Sequence, residues 1–204
     1  KVESMTGEIL KGFEMTNGVQ STTMADIDLA GVQSAPQASS YFNLGANLNA
    51  AATAASTFSS PITLYSSVGS TVTLNLGFTK VAGSNKWTFA ATSSIGSITA
   101  GASGSVSFDT NGQLTKVNGT TAADHSMTLD FSSADPPAEE MTLNWDLVDS
   151  LGATHGKLTG FAAASNNNAM IQDGFTTGTL LGLSVDQKGI INGLFNNGQS
   201  EKLN

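Results

Sequence analysis

Apolar alternation with a period of two, in short runs closed by polar glycine turns, constrains this chain most. In Thr71-Val72-Thr73-Leu74-Asn75-Leu76-Gly77-Phe78 the apolar residues Val72, Leu74, Leu76 and Phe78 fall on one face. Trp87 and Phe89 repeat the scheme, as do Val106 and Phe108, then Met127, Leu129 and Phe131, then Met141, Leu143, Trp145 and Leu147. Residues spaced this way share one side of a strand but spiral round a helix, and short half-buried runs are the antiparallel sheet pattern. The predicted fold class is all-β. Only Ala50–Ala55 has helical propensity, and it is too short to hold a helix without tertiary support.

The turns agree. Asp109-Thr110-Asn111-Gly112 joins Val106–Phe108 to Leu114, and Asp186-Gln187-Lys188-Gly189 joins Leu183–Val185 to Ile190-Ile191. In both, the aspartate can accept from the backbone ahead of it and the glycine supplies a left-handed residue that closes a hairpin. Asn196-Asn197-Gly198 offers the same chemistry, so the C-terminal stretch reads as a meander of three short strands. Tyr65–Thr71 and Val148–Thr154 echo each other, and a shared turn type accounts for that better than a repeat.

Two segments read as boundaries: Ser34–Ser40 (SAPQASS) and Ala162–Asn168 (AAASNNN), the second without periodicity. The predicted organisation is an outer β-barrel or sandwich-like domain over 37–168, inserted into an inner β domain built from 1–36 plus 169–204. Such an insertion needs its two ends close together. Both ends of the chain read as cut from something longer.

With 204 residues the chain can bury a real core. Its 16 carboxylates face 8 basic residues, all lysine, which argues against nucleic acid and against an anionic membrane surface as partners. Serine and threonine make up about a quarter of the residues. There is no cysteine, which fits either a reducing interior or an exported protein stabilised another way, such as packing against identical neighbours. No run approaches the ~18 apolar residues of a membrane helix, and no signal segment opens the chain.

The search for chemistry predicts no catalytic, cofactor-binding or metal residue, and no cofactor. His125 and His155 lack a helically spaced second ligand, and Asp124, next to His125, points to the opposite face of a strand. Asp109–Gly112 begins like a calcium loop but lacks the later ligands and the closing glutamate. Glu139-Glu140 after Pro136-Pro137 reads as a solvated loop. Asn118-Gly119-Thr120 fits the glycosylation acceptor pattern, which arises easily by chance in such a chain. No nucleophile elbow or phosphate-binding glycine loop is present.

Gln172-Asp173-Gly174-Phe175-Thr176-Thr177-Gly178-Thr179-Leu180, then Leu183–Asp186, Gly189 and Phe195-Asn196-Asn197-Gly198-Gln199, carry a resemblance. They are similar to the QDGY…SNGQ segment of the bacterial flagellar hook proteins, with Asn196 in place of serine. Ile62–Thr73 resembles that family's VYDSLGN turn, with Ser66 and Ser70 for the usual aspartate and asparagine; Asp149–His155 keeps the commoner lettering. Phe108–Leu114, Leu10–Phe13, Asn17-Gly18, Asp26–Leu29 and Gly45–Asn49 also match. The resemblance implies a structural, non-enzymatic subunit that polymerises with itself into the curved, flexible tube passing torque from rod to filament. It further implies other axial partners (rod, hook cap, hook–filament junction) and an extracellular place in the flagellum. The family's terminal helical segments and most of the N-terminal half of the inner domain are missing, so this stretch is expected not to polymerise normally.

Three other readings stand beside it. An extracellular β-sandwich binding or adhesin module would expose a few aromatics on one face, whereas Trp87 and Trp145 sit at core positions of their runs. The distal rod protein is a near relative without the large inserted segment. A hydrolase would require two carboxylates to meet in space.

Overall fold

Alternation becomes strands throughout. The computed structural model describes residues 1–3, 6–16, 19–187 and 190–203, and no helix occurs among them. The chain divides into two units, Lys1–Ala35 with Thr177–Asn204, and Pro36–Thr176.

The discontinuous unit holds the hairpin β1 (Lys11–Thr16) and β2 (Val19–Asp26), then the short β3 (Gln33–Ser34).

The middle unit runs through β4 (Tyr41–Asn47), β5 (Thr57–Tyr65), β6 (Thr71–Lys80), β7 (Lys86–Ser93), β8 (Ser97–Ala100) and β9 (Ser103–Phe108). It continues through β10 (Leu114–Val117), β11 (Thr120–Thr121), β12 (His125–Asp130), β13 (Met141–Trp145), β14 (Leu158–Thr159) and β15 (Asn166–Gln172). One sheet has the order β11-β10-β9-β7-β6-β5, the other β14-β4-β13-β12-β8, with β15 also paired to β4. The alternating apolar residues of both sheets share one core: Val72, Leu74, Leu76 and Phe78 meet Met127, Leu129, Leu143 and Trp145. Trp145 is its aromatic centre, with ring centroids 5.8 Å from Phe42, 6.1 Å from Phe78 and 5.3 Å from Phe89. Both tryptophans are buried, and each such side chain removed from water contributes on the order of 2–3 kcal/mol. Pro61, which has no N–H to donate, lies on the edge strand β5.

The discontinuous unit closes with β16 (Gly178–Val185), β17 (Ile191–Phe195) and β18 (Ser200–Lys202), the expected meander, to which β3 adds by pairing β16.

One turn frame recurs four times. At Ser66–Ser70, Asp109–Gln113, Asp149–Ala153 and Phe195–Gln199 the first residue's N–H donates to the fifth residue's carbonyl and the fourth residue, a glycine, donates back to the first. Those glycines, 69, 112, 152 and 198, have φ of 80°, 74°, 79° and 82°. Asp186 and Ile190 make the same first bond, although Lys188 and Gly189 lie outside the described residues. The sequence echo is thus a shared turn. Ser66 keeps one of the two bonds an aspartate makes here: its hydroxyl accepts from Ser70 N at 3.1 Å, where Asp109 and Asp149 each accept from two backbone N–H groups.

Ala50–Ala55, too short for a helix, forms turns: the Asn49 side chain accepts from Ala51 N at 2.9 Å and bends the chain at once, and Ala55 turns left-handed at φ 64°. One expectation differs from the structure. The expected return to the inner domain at residue 169 falls inside β15, which pairs with β4 along its length, and the middle unit extends to Thr176.

Candidate functional site

Small polar residues on two distant segments meet at the ends of the middle unit. Gln37 and Phe175 exchange backbone hydrogen bonds of 2.9 and 3.0 Å. Beside them Asp173 accepts from Ser40 N at 2.8 Å and Tyr41 N at 3.2 Å, and from the Ser40 hydroxyl. The Gln172 side-chain oxygen Oε1 accepts from the buried Ser39 hydroxyl at 2.8 Å and from Gly174 N at 2.6 Å. Ser39 in turn accepts from Tyr65 N at 3.0 Å, tying in β5. Gly174 allows the close approach: a Cβ there would lie 2.3 Å from Ser39 Oγ and 2.7 Å from Ser39 N. Gln172-Asp173-Gly174 is therefore a clasp that fastens the end of the middle unit to its beginning.

A second fastening lies at the other end of β4. Asn47, buried, donates to Ala163 O at 3.0 Å and accepts from Phe161 N at 2.9 Å and from the Thr159 hydroxyl at 3.0 Å. Its amide pairs with backbone groups of the loop after β14 and fixes that loop to β4. Asn43 donates to Asp146 O at 3.0 Å in the same manner. In the discontinuous unit the buried Ser34 donates to Glu201 at 2.6 Å, while Asn196 accepts from Thr179 N at 2.9 Å and Asn197 packs on Gly178. The asparagine-rich final turn thereby holds β16.

The residues weighed for chemistry are placed apart. His125 is buried: its Nε2–H donates to Gly101 O at 2.8 Å, and Nδ1 accepts from Asn118 Nδ2 at 3.2 Å. The Asn118 carbonyl oxygen accepts from Ser105 N at 3.0 Å, so the amide of the glycosylation-like triplet is engaged internally. Asp109 Oδ1 accepts from Asn111 N and Gln113 N, at 2.9 and 2.8 Å, and serves its own turn. Glu139 and Glu140 are exposed. Among the described residues no group of three or more histidine, cysteine, aspartate or glutamate side chains could hold a metal.

Three arrangements were not foreseen. His155 Nε2 lies 3.0 Å from Asp146 Oδ1, a partner nine residues away across the Asp149 turn rather than at helical spacing. Asp124 faces the same corner; burial works against its charge, yet hydrogen bonds from Asn144, Leu147 N and Val148 N, with His155 nearby, hold its carboxyl below the ordinary value. Lys80 is buried with its ammonium 5.4 Å from the Trp87 ring centroid and 3.3 Å from Asn85 Oδ1, and desolvation pushes its pKa down. Asp146 and His155 line one small recess with Asp124 nearby, and Lys80 does not line it.

This middle unit, two β-sheets around one core with its ends clasped, is where comparison with known proteins is informative. Residues 36–175 match the family described as the flagellar basal body protein FlaE D2 domain, and the chain belongs to that family. Among curated proteins it is 28% identical to the flagellar hook protein FlgE of Treponema pallidum (strain Nichols), over an alignment covering 78% of this chain and 40% of that protein. Among solved structures, the Helicobacter pylori flagellar hook protein FlgE2 aligns with a TM-score of 0.46 and 16% identity, covering 72% of this chain and 31% of that one. A 32 kDa fragment of the flagellar hook protein FlgE from Caulobacter crescentus aligns with a TM-score of 0.46 and 22% identity, covering 57% and 46%. The chain spans less than half the length of each of these relatives.

Proposed function

We propose that this chain is part of a structural subunit of the bacterial flagellar hook, polymerising with copies of itself into the curved tube that passes torque from rod to filament. The observation that carries the reading is the family match over 36–175, which coincides with the middle unit of Pro36–Thr176. In this reading the middle unit is the outer domain, and Lys1–Ala35 with Thr177–Asn204 is part of an inner domain made from both sides of the insertion. In this reading the subunit works through its fold and its contacts rather than as an enzyme, and Asp173, Asn47 and Asp109 are engaged with backbone groups of the fold. Its partners are other hook subunits and the neighbouring axial proteins, outside the cell.

The test is immunogold electron microscopy with antibody raised against this chain, on cells that carry the full-length protein and on a strain lacking its gene. Label confined to the short curved segment between basal body and filament, with motility lost in the deletion strain, is the expected result. Label spread over the cell surface would favour an adhesin, and label at the rod alone would favour the distal rod protein.

A further inference from the structure

Asparagine followed by glycine is the most reactive amide pair a chain carries, because no side chain shields the glycine nitrogen. Four such steps lie among the described residues, at 111–112, 118–119, 192–193 and 197–198. Their surroundings differ sharply.

Asn118 is fixed by its bonds to His125 and Ser105 N. The Asn197 carbonyl oxygen accepts from Gln199 N at 3.1 Å, and its amide nitrogen lies 3.4 Å from Ser34 Oγ. Asn192 sits in the middle strand of the meander, paired with Ser184 on one side and Lys202 on the other. Asn111 is different. It is exposed in the β9–β10 turn, and its side-chain amide makes no hydrogen bond to any described residue. The restraints on the step are the bond from Asn111 N to Asp109 Oδ1, 2.9 Å, the bond from Gly112 N to Asp109 O, 3.1 Å, and the exposed Phe161 ring, which lies over the buried Gly112.

We propose that Asn111 is a site of spontaneous deamidation in the folded protein, and that the fold protects the other three described Asn-Gly steps. The Gly112 nitrogen bonds to Asn111 Cγ and loses its proton. The Cγ–Nδ2 bond breaks, and nitrogen leaves as ammonia, leaving a five-membered imide. Water then opens either imide carbonyl to give a carboxylate at 111, as aspartate or as the isoaspartyl form whose main chain runs through Cβ. No electrons are exchanged. The new charge appears two residues from Asp109. In the isoaspartyl form the extra methylene strains a turn whose Gly112 carbonyl accepts from Gly160 N at 2.9 Å.

The experiment incubates the whole chain at mildly alkaline pH, with and without urea, and follows all four steps by peptide mapping with mass spectrometry. In native buffer Asn111 converts at least about tenfold faster than Asn118, Asn192 and Asn197, whose reaction needs larger openings, and in urea the four rates converge. Phe161→Ala uncovers Gly112 and speeds conversion at Asn111 alone. Equal native rates at the four steps, or conversion of Asn111 only in urea, would overturn the proposal.

Discussion

Asp124 stabilises the fold through charge, and the sign of its pH effect follows from its environment. Its folded pKa lies below the ordinary aspartate value, because hydrogen bonds to its carboxylate outweigh the cost of burial. Its contribution is therefore present above the unfolded value and lost as pH falls through the folded one. Asp124→Asn should lower the urea midpoint at neutral pH and make the fall below about pH 4 shallower than in the parent chain. Gly174 acts through space instead. Gly174→Ala pushes a methyl into Ser39 and should cost about 1–3 kcal/mol by chemical denaturation, whereas Gly77→Ala, whose Cβ meets nothing closer than 3.6 Å, should be nearly neutral. Equal effects of the two substitutions would remove the clasp as an explanation for this glycine.

Elements were legible where one face is buried and the other wet. The strands around Val72–Phe78, Met127–Leu129 and Met141–Trp145 alternate in burial as their sequences do. The β4 strand, YFNLGAN, escapes the same reading because six of its seven residues are buried, and its two asparagines find their partners more than a hundred residues away. Asn166–Gln172 fails for the opposite reason: nearly all of it is exposed, so no periodicity marks it as a strand. The motif Gln172-Asp173-Gly174 was visible as letters, but its work as a clasp depends on Ser39 and Ser40, which local pattern does not connect to it. The shared turn frame makes a graded prediction. Gly152→Ala should cost about 1–2 kcal/mol for its left-handed backbone alone. Gly69→Ala should cost more in the same thermal-melt series, because its Cβ would also lie 2.9 Å from Pro36 Cβ.

At the scale of the whole molecule, the division into a middle unit and a discontinuous one makes excision a direct test. Residues 36–176 carry both tryptophans, and the ends of this unit are already joined by the Gln37–Phe175 pair. The excised piece should fold alone and show the tryptophan-fluorescence unfolding midpoint of the whole chain; a piece that stays unfolded would contradict the independence of the unit. The pairing of β4 also sets an order of events. Its strand partners begin at Met141, Leu158 and Asn166, so all of them follow it by about a hundred residues. When the chain is delivered N-terminus first, the neighbouring hairpins can zip up as they appear, since their contacts are local. Phe42 and Leu44 must instead wait, uncovered and open to mispairing, until the last third of the unit has arrived.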